Sequence, residues 1–345
     1  MKKIPRLKKG SRIAILSPSW GGTKSFPHIY KKGLERLKTS FGLELIEFPT
    51  TKMTETEVYD SPSQRARDIN EAFKRKDIEG IIVTIGGDDG IRVLKHLDLE
   101  IIKNNPKFFM GYSDTAIFNI YFNQLNFITF NGPSVMAGFA ESKTLKEDFV
   151  KHIKTFLFSN WKKFEYSPFK EYTDKYLNWS EPKNLNEENI NYVENSEGWK
   201  FIQGTGNVVG ILTGGCIDAL EIMKGTVYWP KKTYWKNKIL FFETSEMKPS
   251  PEQVECILRN YGMQGILSNI SGMLFGRPKN YSQEEKIELD KVLLKILKEF
   301  NRQDLIVVTN VDFGHTDPQI ILPLGVKMEI DVDKKRLRLI ESPFK

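Results

Sequence analysis

The chain has 345 residues, 40% of them hydrophobic and 12% aromatic, enough for two domains or one large α/β domain and too apolar for disorder throughout. Its net charge of +7, partly gathered in the first twelve residues, raises nucleic acid or an anionic membrane as partners. Lys and Asp/Glu are interspersed along the helix-like stretches, which instead favours a solvated surface and an anionic small substrate, with no nucleic-acid polymer and no membrane.

The first apolar run, Arg12 to Trp20, is broken by Pro18 and Gly21-Gly22 and reads as a buried strand. A helix over 27–41 and a strand over 43–50 follow. Ser61-Pro62 opens a second helix, with Ala66, Ile69, Ala72 and Phe73 spaced on one face. A third strand is expected over 80–90, then a helix to about Asp98. Residues 108–118, FFMGYSDTAIF, read as a buried strand, a sharp turn and a helix. Continuous apolar strands alternating with helices predict a parallel sheet covered on both faces. Ligands of such sheets bind beyond the carboxyl ends of the strands. Gly86-Gly87 and Ser113 both fall there, so one cleft is expected to hold them.

From 159 to 205 the chain is polar, aromatic and without regular period, and reads as a long connection. Its tryptophans, Trp161, Trp179 and Trp199, leave stacking on a ligand and packing on a neighbouring domain both open. Strand-like NVVGILTGG begins at Asn207, and Cys216 to Met223 is helix-like. Residues 238–246, KILFFETSE, form an apolar strand running into Glu243. Capping boxes at Ser250–Gln253 and Ser282–Glu285 each open a helix, the second reaching about Phe300. LIVVTN, ILPLGVKMEID and KRLRLIE are expected as closing strands, the last two a hairpin. The predicted organisation is 1–158, a connection over 159–205, and 206–345.

Several features set the expected compartment. No run of about 18 apolar residues occurs, and no apolar stretch follows the charged N-terminus, so a cytoplasmic protein is expected. Cys216 and Cys256 have no C-x-x-C spacing, fall in apolar-faced helix-like segments, and read as reduced, buried thiols.

Ser113 is the first candidate for chemistry. At a strand-to-helix turn its hydroxyl would project from the sheet towards free N–H groups and the positive end of a helix. Gly111 permits the turn, and the Asp114 N–H is placed to hold an oxyanion. An ordinary N-cap is the competing role for Ser113. The G-x-S-x-G elbow lacks its second glycine, because Thr115 stands there. Of four histidines, His28, His96 and His152 sit among charged residues in helix-like segments and suit the surface, whereas His315 lies in a turn-rich loop, Asp312–Pro318. Glu243 follows Leu240-Phe241-Phe242, where a carboxylate is costly unless paired. Either a Lys or Arg or a His would satisfy it, and a His would be oriented by it. Ser113, Glu243 and His315 therefore form a candidate triad. The chain has no H-E-x-x-H and no phosphate-binding G-x-x-x-x-G-K-[ST], and Gly204-Thr205-Gly206 with Gly210 has the wrong spacing for a dinucleotide loop. Asp88-Asp89 reads as an acidic pair at a helix N-terminus rather than a metal site, so no metal and no cofactor are expected.

These segments together resemble the LD-carboxypeptidase family of serine peptidases. The matching pieces are Gly86-Gly87, Gly111-Tyr112-Ser113-Asp114, Gly214-Gly215, Phe242–Glu246 and Phe313–Pro318, in family order and across nearly the whole chain. The resemblance implies a flavodoxin- or amidotransferase-like parallel-sheet N-terminal domain plus a smaller mixed α/β C-terminal domain. It also implies Ser113 as nucleophile, His315 as base, Glu243 as its orienter, backbone donors at Gly87 and Asp114, and a homodimer. Murein-recycling members tend to carry an Arg-Gly-Gly-Tyr-Gly-like turn, whereas this chain has Ile85-Gly86-Gly87-Asp88-Asp89. That turn, the Trp-bearing connection and Glu194–Trp199 look more like the microcin C immunity branch, which implies a small peptide or aminoacyl-nucleotide substrate. Asp88, Trp179 and Trp199 are the expected substrate contacts. The alternatives are a murein tetrapeptide LD-carboxypeptidase with the same triad, and a non-catalytic ligand-binding module on the same fold.

Overall fold

A computed structural model describes residues 1–345 and distributes them between two main β-sheets. The first has six strands, in the order Leu322–Leu324, Thr129–Asn131, Phe108–Met110, Gly80–Val83, Arg12–Leu16 and Glu44–Glu47. Five are parallel, with Ile13 opposite Gly80 and Gly80 opposite Phe108. Their central members are almost wholly buried, as continuous apolar runs require when helices cover both faces.

The second sheet has eight strands, ordered Phe164–Glu165, Arg336–Leu339, Lys327–Asp331, Asn207–Cys216, Lys238–Glu243, Gly272–Gly276, Ile306–Val311 and Lys200–Gln203. The four strands from Asn207–Cys216 to Ile306–Val311 run parallel, and antiparallel strands flank them on both sides. The expected closing hairpin is present, with Met328 opposite Leu339.

Several local expectations need correction. Residues 321–331 are not one strand. They turn at Gly325, so Leu322–Leu324 closes the edge of the first sheet while Lys327–Asp331 joins the second. That split ties the two sheets together just after the His315 loop. The aperiodic 159–205 segment supplies one short strand to each edge of the second sheet, and a separate ribbon pairs Glu171–Tyr172 with Val193–Glu194. Strands of two to four residues are too short to show a period. The strand expected over 80–90 stops at Val83, and a short 3₁₀ stretch, Gly90–His96, stands for the helix expected after it. Cys216 ends a strand rather than sitting in a helix, and Cys256 is exposed. His152 is half-buried among Phe156, Phe164 and Phe169, where its Nε2 accepts the Ile321 N–H at 3.0 Å. Desolvation by these rings pushes it down to about 3, so it is neutral and packed against the core rather than a free surface residue.

One apolar core runs through both sheets. Beneath the first sheet's carboxyl edge Arg65 is fully buried. It donates to the Pro18 and Ser19 carbonyls and makes a two-pronged pair with Asp89 at 2.6 and 2.9 Å. The strand-end loops of that sheet are thereby fixed to one another.

Candidate active site

Strand Phe108–Met110 delivers the chain to Ser113, and helix Thr115–Gln124 begins two residues later. Ser113 has φ +60°, a left-handed conformation uncommon for a residue with a side chain, of the kind that concentrates at functional sites. Gly86 makes room for it, since a Cβ at that position would lie 2.7 Å from the Ser113 Cβ. Asp114 clamps the turn from behind. Its buried carboxylate accepts from the Ser19 hydroxyl at 2.5 Å and the Gly90 N–H at 2.7 Å, and burial pushes it up to about 6.

The second sheet brings two side chains to the same place. Glu243, the last residue of its fully buried strand, approaches His315 Nδ1 with Oε2 at 2.7 Å. The other ring nitrogen, Nε2, lies 3.1 Å from Ser113 Oγ. Gly314, at φ +100°, lets the loop pass so close, because a Cβ there would sit 2.6 Å from the Glu243 Cβ. Burial raises the Glu243 carboxyl, and the imidazole works against that rise. For His315, burial alone favours the neutral ring, but the carboxylates of Glu243 and Glu246 outweigh it and hold it up at about 10. Ser113, His315 and Glu243 thus form one hydrogen-bonded line.

A cavity of about 560 Å³ opens over this line. Gly86, Gly87, Asp88, Ser113 and Asp114 form one wall, and Asp218, Ser245, Glu246 and Met247 face them. The Gly87 and Asp114 N–H groups make no hydrogen bond within the protein. Trp179 also lines this cavity, edge-on to Phe26 at 5.5 Å, with its carbonyl 2.7 Å from His28 Nε2.

Trp199 requires correction. It is buried away from the cavity and donates its Nε1–H to Asp312 at 2.8 Å, where Asp312 is also paired with the buried Arg277 at 2.7 Å. An indole N–H buried beside a carboxylate anchors the connection to the second sheet and leaves no face for a ligand. Trp161 likewise packs, against Phe156, Phe164 and Phe344. Asp89, the neighbour of Asp88, is engaged by Arg65 and Arg92.

Other residues at the site carried no distinct signal in the sequence. Tyr176 donates to the His315 carbonyl at 3.0 Å, and Tyr112 meets the imidazole edge-on at 4.9 Å. Lys279 sits 3.5 Å over the Tyr176 ring. It follows strand Gly272–Gly276, so the rule that ligands gather at strand carboxyl ends offered a way to find it. Glu246 was visible only as part of a matching segment, yet its Oε2 lies 2.9 Å from His315 Nε2. Cys216, Glu243 and His315 place potential ligand atoms within 4.8 Å of one another, but both His315 nitrogens are already engaged by Glu243 and Ser113.

Two family models match, described as the LD-carboxypeptidase N-terminal domain over residues 13–132 and the LD-carboxypeptidase C-terminal domain over residues 209–330. The chain belongs to the LD-carboxypeptidase family. It is a serine-type hydrolase, with Ser113 in the first matched region and Glu243 and His315 in the second. Among curated relatives, a carboxypeptidase-named protein of Vibrio cholerae is 28% identical over 96% of this chain and 95% of its own length. The microcin C7 self-immunity protein MccF of Escherichia coli is 28% identical over 96% and 94%. A Bacillus subtilis protein named for murein peptide carboxypeptidase activity is 24% identical over 79% and 75%. Among solved structures, MccF in complex with aspartyl sulfamoyl adenosine superposes with a TM-score of 0.89 over all of both chains, at 27% identity. An MccF-like protein from Streptococcus pneumoniae in complex with AMP gives 0.85 over 96% and 99%, at 27% identity. The mixed α/β architecture, with its parallel first sheet, is that of MccF. No helix is long and apolar enough to cross a membrane.

Proposed function

We propose that this hydrolase cleaves the amide joining an aminoacyl group to a nucleotide-like leaving group, as in microcin C immunity, through Ser113, His315 and Glu243. The observation that carries the proposal is the hydrogen-bonded line from Ser113 Oγ through His315 to Glu243, with Ser113 and His315 lining a cavity that Trp20, Tyr112, Tyr176 and Trp179 also line. Ser113 Oγ attacks the carbonyl carbon while His315 Nε2 takes its proton. The oxyanion that forms is held by the free N–H groups of Gly87 and Asp114. The C–N bond then breaks, His315 returns the proton to the leaving nitrogen, and the acyl group stays on Ser113. Water deprotonated by His315 releases it. Glu243 fixes the ring orientation and stabilises the imidazolium of each step. In the same cavity, Trp179 offers a planar face for a base, and Asp88 a polar contact.

A murein tetrapeptide LD-carboxypeptidase is the second reading. Lys279 favours it, as a cation in the cavity that would pair with a terminal carboxylate. Turnover of an aminoacyl-sulfamoyl adenosine and of a murein tetrapeptide, measured side by side, separates the two. Cleavage of the nucleoside alone supports the aminoacyl-nucleotide proposal, and cleavage of the tetrapeptide alone overturns it. Cleavage of neither removes both.

A further inference from the structure

His315 Nε2 has two claimants. Ser113 Oγ lies 3.1 Å away and Glu246 Oε2 2.9 Å away. Taking the serine proton requires Nε2 without a hydrogen, whereas bonding to the Glu246 carboxylate requires Nε2–H. The two states exclude each other. With Nε2–H turned to Glu246 the imidazole is bonded to a carboxylate at each nitrogen, and in that state it acts as a base only once Glu246 withdraws.

Glu246 is free to do so. Glu243, three residues earlier, is wholly buried, but the Glu246 side chain is 61% exposed, on the loop between strand Lys238–Glu243 and helix Pro251–Met263. The base of that loop is pinned by the Ser245 N–H donating to Asp218 at 2.9 Å, so the side chain can swing without the backbone following. The surrounding charge favours a positive visitor. Asp88, Asp218 and Glu246 all face the cavity, and Lys279 is the lysine or arginine that lines it. The Lys279 ammonium rests over Tyr176 and has Glu246 as its foremost charge partner, followed by Asp317, Glu141 and Asp174, so one cation is shared among four carboxylates. In an aminoacyl group the α-nitrogen is two bonds from the carbonyl carbon. With that carbon against Ser113 Oγ, an α-ammonium would lie within reach of the Glu246 carboxylate, which sits 2.9 Å from His315 Nε2.

We propose that Glu246 recognises a free α-ammonium on the acyl side of the scissile amide, and that pairing with it releases His315 to act as base. The site therefore selects substrates whose acyl residue has an unblocked amine. This rests on the aminoacyl-nucleotide proposal above.

The test compares an aminoacyl-sulfamoyl adenosine with its N-acetyl counterpart, on the wild type, Glu246→Gln and Glu246→Asp. Loss of a charge-assisted hydrogen bond to Glu246 predicts a preference in kcat/KM for the free amine of about ten- to a hundredfold in the wild type. In Glu246→Gln the preference should shrink to within about threefold, mainly through a higher KM for the free amine, and Glu246→Asp should restore part of it. The acidic limb of kcat/KM should also move to lower pH in Glu246→Gln. The titratable groups facing His315 are Glu243 at Nδ1, Glu246 at Nε2, the Cys216 thiol within 4.8 Å, Asp317 by charge and Tyr112 at the ring edge. Removing the Glu246 charge lowers the pH at which the ring sheds its proton. A wild type that treats both nucleosides alike, or a Glu246→Gln enzyme with the full preference, overturns the inference and leaves the hydrolase reading standing. A wild type that cleaves neither nucleoside removes that reading, and this inference with it.

Discussion

The carboxyl ends of the two sheets contribute to the site in different ways. On the first sheet the nucleophile is fixed by backbone geometry and buried side-chain bonds: Ser113 sits at φ +60°, Asp114 bonds to Ser19 and Gly90, and Arg65 locks the neighbouring loops. On the second sheet the base is held by charge, with Glu243 and Glu246 flanking one imidazole. Position is set on the first sheet and protonation on the second. A fixed nucleophile facing an adjustable base lets the enzyme be gated without disturbing the geometry of attack. The strand Leu322–Leu324, which leaves the His315 loop to join the first sheet, keeps the two halves in register.

The contrast can be broken from either side. Removing the nucleophile has the largest expected effect. Ser113→Ala should lower kcat on the order of 10⁴-fold or more, with the circular dichroism spectrum unchanged. Residual activity above a tenth of wild type would mean that another group attacks.

Next comes the buried carboxylate. Glu243→Gln should cost about 10²- to 10⁴-fold in kcat, because a neutral partner neither orients the ring nor stabilises its cation. It should also change how stability depends on pH. The folded-state value of His315, about 10, lies above its ordinary 6.5. A raised value stabilises the fold fully below the ordinary one, and the gain is lost as pH rises through about 10. Melting temperatures should therefore separate wild type from Glu243→Gln most near pH 6 and least near pH 10. A gap that widens with pH would contradict the charged pair.

The smallest effects sharpen the comparison within the 159–205 connection, where two tryptophans have different surroundings. Trp179→Ala should raise KM for an adenosine-bearing substrate about ten- to a hundredfold, through lost stacking. Trp199→Ala should instead destabilise the fold by about 3 kcal/mol or more and leave KM alone, because its contacts are internal. KM and melting temperature measured together assign each role.

What could be read from the sequence depended on whether a residue's constraint was local. The Ser113 turn was legible because an apolar strand, Gly111 and a helix start fall within a few residues. Glu243 was legible because a carboxylate after three apolar residues demands a partner. Trp199 was not, since an aperiodic segment gives no pattern to tell a buried indole from an exposed one. His152 was misread because its helix neighbours are charged, while its own face meets a cluster of phenylalanines. The return of Leu322–Leu324 to the first sheet depends on a pairing with Thr129–Asn131 nearly two hundred residues away, and no local signal encodes it. Glu246 and Lys279 look like ordinary loop charges until the fold brings them to the cavity.

The central claim is that Ser113 Oγ becomes acylated. Mass spectrometry of the enzyme treated with a fluorophosphonate, followed by peptide mapping, tests it directly. A single adduct on the peptide containing Ser113, lost in Ser113→Ala and suppressed by an aminoacyl-sulfamoyl adenosine, is the result expected. An active enzyme that carries no adduct, or carries it on another residue, would contradict the account.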